Sequence, residues 1–444
     1  MRFRSLPLAA AGLALAACQP AKTPTPAPTP AARPAAQNGT PTPGQPTPGQ
    51  PTPGQPTPGQ PTPGQPPAGG LPAGLGGGGA DPAPRPYATV ITPRAKTKTG
   101  VFGVHQVGSS LYFELPKSEI GKDFVVTTVL AGTPAGIGIN GTLGPDRVIR
   151  FERRDNRILV RDINYNNVAT DSTLSTRLAM SLIEVYPIIA ALNVEAYGKD
   201  SAAVVEVTRM FTGGIQEFTA GGRRATVDAS RSFIEKFAAF ARNVNVTATQ
   251  TFTPIGGGGG LPAIPGLNAG GAQATTEAFT FSIVRLPDVP MMPRFNDARV
   301  GFFGPNKTDF GSAEQRVLPR RYISRWRLEC SDQKVGNLCV PKKPITYYVD
   351  PATPDWLKPW IKAGIEEWQG AFEQAGFAKG IVAGVVPNDP DFSGEDASVA
   401  MVRWLPSPVA NAVGPSTVDP RTGEIIDADV QMYHNIMDLQ REWY

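Results

Sequence analysis

The 444 residues carry 42 Lys+Arg against 38 Asp+Glu, a net charge of only +4, and the cations are spread along the chain. No Lys/Arg run is interleaved with aromatic residues, which argues against a nucleic-acid partner. Once the Pro/Gly-rich N-terminal stretch is set aside, roughly 350 residues remain, enough for two or three domains with proper cores.

Residues 1–17 read as a signal peptide. Arg2 and Arg4 supply a positive start and Leu6 to Leu15 a short apolar stretch, too short to span a bilayer. Leu15-Ala16-Ala17-Cys18 resembles the bacterial lipobox, in which the cysteine is acylated and becomes the first mature residue. That resemblance implies a membrane partner through lipidated Cys18. Gln19, in place of an aspartate, points to the outer membrane or cell surface. Residues 18–87 hold five PTPGQ repeats between Pro41 and Gln65, with little apolar bulk. Such a composition cannot build a core and is expected to act as a disordered spacer of polyproline character.

Residues 88–255 are expected to be β-rich. Phe124 to Leu130 and Val204 to Thr208 are strand-like runs, and Val148–Phe151 and Ile158–Val160 flank an Asp155-Asn156 turn, which suggests a hairpin. One helix is expected over Ser232–Ala241, where Phe233, Phe237 and Phe240 fall at spacings of four and three. Gly136 to Gly141 matches G-x-G-x-x-G, but Thr142-Leu143-Gly144-Pro145 cannot open the helix that a dinucleotide site needs, so it reads as a loop. A Gly/Pro-rich flexible insertion occupies 256–277. In the connecting region 278–342, Arg320, Arg321, Arg325 and Arg327 among aromatics read as salt-bridge braces. Cys330 and Cys339 flank a Gly-Asn turn, and in an exported protein they read as a loop-closing disulfide.

The segment 343–444 has the pattern of a sheet with a helix across one face. Ile345–Val349 is a strand, Asp355 a plausible N-cap, and an apolar face from Leu357 through Ile361, Ile365, Trp368 and Phe372 to Ala375 runs to Gly376 as the C′ glycine. Further strands are expected at Ile381–Val386, Ser398–Trp404, Val409–Val413 and, after a turn at Asp419–Gly423, Ile425–Tyr433. The fold class is therefore α+β.

KPITYYVD, GIEEWQGAFEQAGF and DPRTGEIIDADV together resemble the front half of a metzincin-like catalytic domain. More specifically, they resemble large exported bacterial zinc-dependent metalloproteases, in which a β-rich domain of unknown role precedes the peptidase domain. MMPRFNDARVGFF and YISRWRLE resemble that family's junction. The resemblance implies peptide-bond hydrolysis as the family activity and an edge strand at Val409, Ala410, Asn411, Ala412 and Val413 that pairs an extended peptide or protein substrate. It also implies zinc, held by an H-E-x-x-H helix plus a further ligand.

That motif does not occur in these residues, and the two histidines, His105 and His434, stand far apart in sequence. The expectation is a chain cut off before the zinc helix, binding no zinc and inactive alone. The alternative is a non-catalytic binding or scaffold lipoprotein of the cell envelope. His105 reads as a sheet residue and His434 as polar surface. Glu366, Glu367, Glu395, Asp396, Asp427 and Asp429 are expected on solvated faces.

Overall fold

A computed structural model of the chain describes residues 82–134, 137–169, 180–182, 184–219, 225–254, 274–311 and 316–443. Cys18, the segment 1–17, the PTPGQ repeats and most of the 256–277 insertion lie outside the described residues.

Among the described residues thirteen strands come first: β1 (Lys96–Thr99), β2 (Gly103–Val107), β3 (Ser110–Leu115), β4 (Asp123–Gly132), β5 (Arg147–Arg154), β6 (Arg157–Ile163), β7 (Asn167–Val168), β8 (Ile188–Tyr197), β9 (Ala203–Glu206), β10 (Ala225–Val227), β11 (Phe233–Ala239), β12 (Asn243–Pro254) and β13 (Thr275–Arg285). All except β7 join one 12-stranded sheet, ordered β1-β2-β3-β9-β8-β6-β5-β4-β13-β12-β10, with β11 also on β12. Period-two alternation sets its inner face. On β3, Leu111, Phe113 and Leu115 are buried while Ser110, Tyr112 and Glu114 point outward. The sheet curls until its edges meet, where the Val101 N–H donates to the Phe240 carbonyl (2.7 Å). Inside, Phe102, Phe113, Phe124, Phe151, Phe211, Phe218 and Phe281 interlock with neighbouring ring centroids 4.8 to 6.3 Å apart.

The Asp155-Asn156 hairpin forms between β5 and β6, with Asp155 at φ 52°. The helix expected over Ser232–Ala241 is instead β11, paired antiparallel with β12. A bulge between Ile234 and Lys236 turns Phe237 inward and leaves Phe233 exposed. Pairing along a long neighbour has outweighed the local helix propensity of Ala, Glu and Lys. The boundary expected at 277/278 falls inside β13, which sits between β4 and β12, so the Gly/Pro-rich stretch interrupts the sheet rather than ending it.

Next come β14 (Asn306–Asp309) and β15 (Leu318–Arg321), which form a small sheet with β7, and the hairpin β16 (Cys330–Val335) and β17 (Leu338–Pro341). The C-terminal layer contains β18 (Ile345–Val349), β19 (Ile381–Gly384), β20 (Met401–Leu405), β21 (Ala412–Val413), β22 (Ser416–Asp419), β23 (Glu424–Ala428) and β24 (Val430–Tyr433). Its five-stranded sheet runs β19-β18-β20-β24-β21, with four parallel strands and β21 antiparallel at the edge.

Two expectations for this layer change. The helix starts at Lys358 with Leu357 at the N-cap, so Asp355 does not cap it, and it breaks at Trp368 into Lys358–Glu367 and Gln369–Gln374. Gly376, at φ 96°, does close it. The single strand expected over Ile425–Tyr433 is two, because the chain leaves the β22–β23 hairpin at Asp429 and enters the main sheet as β24. The two or three domains expected from length pack as one compact unit from Gly77 to Tyr444. The architecture is α+β, rich in strands and poor in helices.

Candidate functional site

Pairing at the edge is shorter than the sequence suggests. Only Ala412 and Val413 form β21, opposite Met432 and Gln431, while Val409, Ala410 and Asn411 are irregular. Pro406 and Pro408 cannot donate to a ladder, and the Val409 N–H turns back to the Ser407 hydroxyl (3.2 Å). The Asn411 carbonyl accepts from Tyr433 N–H (3.3 Å), so it faces β24. Alternation then turns the Ala412 N–H and C=O outward. That N–H is not free, since it donates to the Asn411 side-chain oxygen (2.8 Å).

The histidines lie in different sheets. His105 is buried on the outer face of β2, where its Nδ1 meets the Thr97 hydroxyl (2.9 Å) and its Nε2 meets Glu114 (3.0 Å). The Tyr87 hydroxyl donates to the same Glu114 oxygen (2.9 Å), and burial together with that contact pushes the phenol up to about 12. Glycines make the room, for a Cβ on Gly198 would come 1.9 Å from Glu114 Oε1. This group ties β1, β2, β3 and the short Tyr87–Val90 helix together. His434 is exposed, edge-on to Trp404 at 5.6 Å.

The disulfide between Cys330 and Cys339 crosses the β16–β17 hairpin. Cys339 also bonds the helix end, with its N–H on the Gly376 carbonyl (3.0 Å) and its carbonyl receiving Ala378 N–H (2.9 Å). Arg320, Arg325 and Arg327 act as braces, while Arg321 is exposed. Arg327 reaches across to Glu424 (2.6 Å), and Arg320 pairs with the fully buried Asp309 (3.2 Å).

Glu366 and Glu367 are exposed, but the other carboxylates are not on solvated faces. Asp396, Asp427 and Asp429 are buried where the C-terminal layer closes on the 12-stranded sheet. The seam is polar. Asn243 of β12 donates to Asp396 (2.9 Å), Thr127 of β4 meets Thr417 of β22 (3.1 Å), and Gln431 donates to the Gly141 carbonyl. Burial raises Asp429 to about 7, although Met401 N–H (2.9 Å) and Arg403 pull the other way. Asp427 is pushed well above the usual carboxylate range by burial and then by Asp429 and Asp396, and its Oδ1 has no partner. Glu395 is lowered because the Arg403 guanidinium (2.7 Å), aided by the Ser393 hydroxyl, outweighs its burial. Arg403 was not foreseen, and only its place opposite Glu395 in the fold marks it.

Among the described residues no three His, Cys, Asp or Glu side chains are grouped to hold a metal. His105 is engaged with Thr97 and Glu114, and Cys330 and Cys339 are joined in the disulfide.

On the other face of the five-stranded sheet an apolar cavity of about 470 Å³ opens under the helices, between Ile361, Ile365 and Trp368 above and Ile345, Val402 and Val430 below. Among the described residues no helix is long and apolar enough to cross a membrane.

Two family models match the chain. Residues 84–133 match a domain of unknown function, DUF5118, and residues 141–331 match another, DUF5117. The first stretch contributes β1 to β4 and the second β5 to β15, yet β3 pairs β9 and β4 pairs both β5 and β13. The two matched stretches therefore share the 12-stranded sheet. No curated protein matches the chain, and no solved structure does.

Proposed function

We propose that this chain is the substrate-holding portion of a membrane-tethered, zinc-dependent metallopeptidase of the cell envelope. Cys18 carries the lipid anchor, and β21 takes up an extended peptide by strand addition. The observation that carries the reading is a short antiparallel edge strand, on an otherwise parallel sheet, whose outer side pairs with no other strand. The KPITYYVD and DPRTGEIIDADV motifs lie in that same layer. Hydrolysis and zinc belong to the lineage, and these residues supply neither.

The competing reading, a non-catalytic binding or scaffold lipoprotein, draws on the lack of H-E-x-x-H in the sequence. Under both readings a peptide must displace the Asn411 side chain from the Ala412 N–H.

The test is fluorescence anisotropy of labelled, reduced and carboxymethylated casein with the purified full chain. Saturable binding is expected to weaken about tenfold in Ala412→Pro, which removes the outward donor, since one peptide hydrogen bond is worth ~1–1.5 kcal/mol. Asn411→Ala, which frees that donor, is expected to tighten it. Binding unchanged by both substitutions refutes strand addition. Stoichiometric, chelator-sensitive zinc together with casein cleavage would overturn the assignment of inactivity, and so separate a working peptidase from a binding protein.

A further inference from the structure

We infer that the platform formed by residues 289–303 against 320–327 docks on an anionic phospholipid surface. Six large apolar side chains of this short stretch are exposed: Val289, Met292, Phe295, Val300, Phe302 and Phe303, with Met292 81% and Phe303 84% exposed. They are held in place. Asn296 N–H donates to the Arg321 carbonyl (2.7 Å), Ile323 N–H to Arg294 (3.0 Å) and Ser324 N–H to Phe303 (2.7 Å). Arg325 also donates to the Met292 carbonyl (2.7 Å). A stretch fastened by its backbone presents its apolar side chains outward as part of the fold. Ordered apolar patches of this kind mark contact surfaces.

Charge selects the partner. Between Val289 and Arg327 there are eight Lys/Arg and three Asp/Glu, a net +5 against +4 for the whole chain. Lys307 faces inward, Arg320 pairs with Asp309 and lies over the Phe295 ring, and Arg299 pairs with Asp297, whereas Arg294 and Arg321 are exposed in the same stretches as the apolar residues. Apolar side chains that enter the acyl boundary, ringed by cations that meet headgroup phosphates, are the two components of interfacial binding. The forked guanidinium suits phosphate in particular. Cys18, which the proposed function makes the lipid anchor, belongs to the same chain.

The inference shares only that membrane with the proposed function, and its test dispenses with the anchor. The mature chain from residue 18, with Cys18→Ser so that it cannot be acylated, is sedimented with vesicles of phosphatidylcholine and phosphatidylglycerol at 7:3. Binding is expected, about tenfold weaker on pure phosphatidylcholine and falling as salt rises. Met292→Ser with Phe303→Ser, both at highly exposed positions, is expected to weaken it at least tenfold, and Arg294→Glu with Arg321→Glu likewise. No binding to the mixed vesicles, or equal binding by the serine variant, overturns the inference. So does concentration-dependent dimerisation that the same serine pair abolishes, because the patch would then face a second copy. None of these results bears on whether Cys18 is acylated, which the mass of the N-terminal peptide decides separately.

Discussion

Replacing Asp429 by Asn should flatten the pH dependence of stability. The carboxylate lies where β23 gives way to β24, accepts Met401 N–H, and is raised by burial to about 7. A raised folded-state value means that the folded protein keeps a proton the unfolded chain has released. The stabilisation is complete below pH ~4 and is lost as pH rises towards 7. Three units at 1.36 kcal/mol each give ~4 kcal/mol lost over that window. The amide keeps the acceptor for Met401 and has nothing to ionise. It also removes the charge that, after burial, does most to raise Asp427. Urea unfolding of the full chain at fixed ionic strength, from pH 4 to 8, is the assay. The variant is expected to match the wild type near pH 4, to be about 1.5 kcal/mol more stable at pH 5 and roughly 4 kcal/mol more stable at pH 8. Parallel stability curves for the two proteins would refute the reasoning, since the seam would then hold Asp429 ionised at no cost.

Three further outcomes follow from the packing. Phe281 is fully buried and its ring lies 5.3 Å from Phe211, so Phe281→Ala should lower unfolding stability by about 3–5 kcal/mol in urea. Cys339→Ser opens a crosslink between residues nine apart, a loss of roughly 3 kcal/mol of local constraint, and should speed amide exchange at Ala378, whose N–H bonds Cys339. Gly364 lies mid-helix beside the apolar cavity, and a Cβ there meets nothing within 4 Å. Gly364→Ala should therefore raise stability by about 0.5–1 kcal/mol, measured as an upward shift of the thermal midpoint.

Local chemistry made several elements legible. Phe124 to Leu130 is a strand because β-branched residues say so, the Asp155-Asn156 turn closes its hairpin, and Gly376 ends its helix. Tertiary events were not legible. The Phe233–Ala239 run carries helix-forming residues and a four-three apolar spacing, and only the pairing with β12 makes it a strand. Asp427 and Asp429 look like a solvated strand face, because in sequence the surface that covers them is over a hundred residues away. The edge strand was overdrawn at Val409 to Asn411, where the hydroxyl of Ser407 between two prolines captures the backbone.

The five-stranded sheet reverses the usual use of its faces. On β20, Met401 and Arg403 look towards the 12-stranded sheet, while Val402 faces the half-open apolar cavity. Apolar contact across the seam includes Val284 and Leu286 packing with Ala397 and Ile426. Cohesion between the layers also draws on hydrogen bonds, on the Lys98–Asp391 ion pair and on Asp427 and Asp429, which burial disposes to keep a proton, so part of it varies with pH, whereas the phenylalanine core does not titrate. Deprotonation should open the seam before it unfolds either sheet. The Met401 amide, bonded to Asp429, should then exchange through an opening that becomes easier from pH 5 to 8, beyond the ordinary base catalysis seen at core amides. The Ile283 amide, inside β13, should show no such excess. Equal behaviour at the two positions would mean that the layers unfold only together.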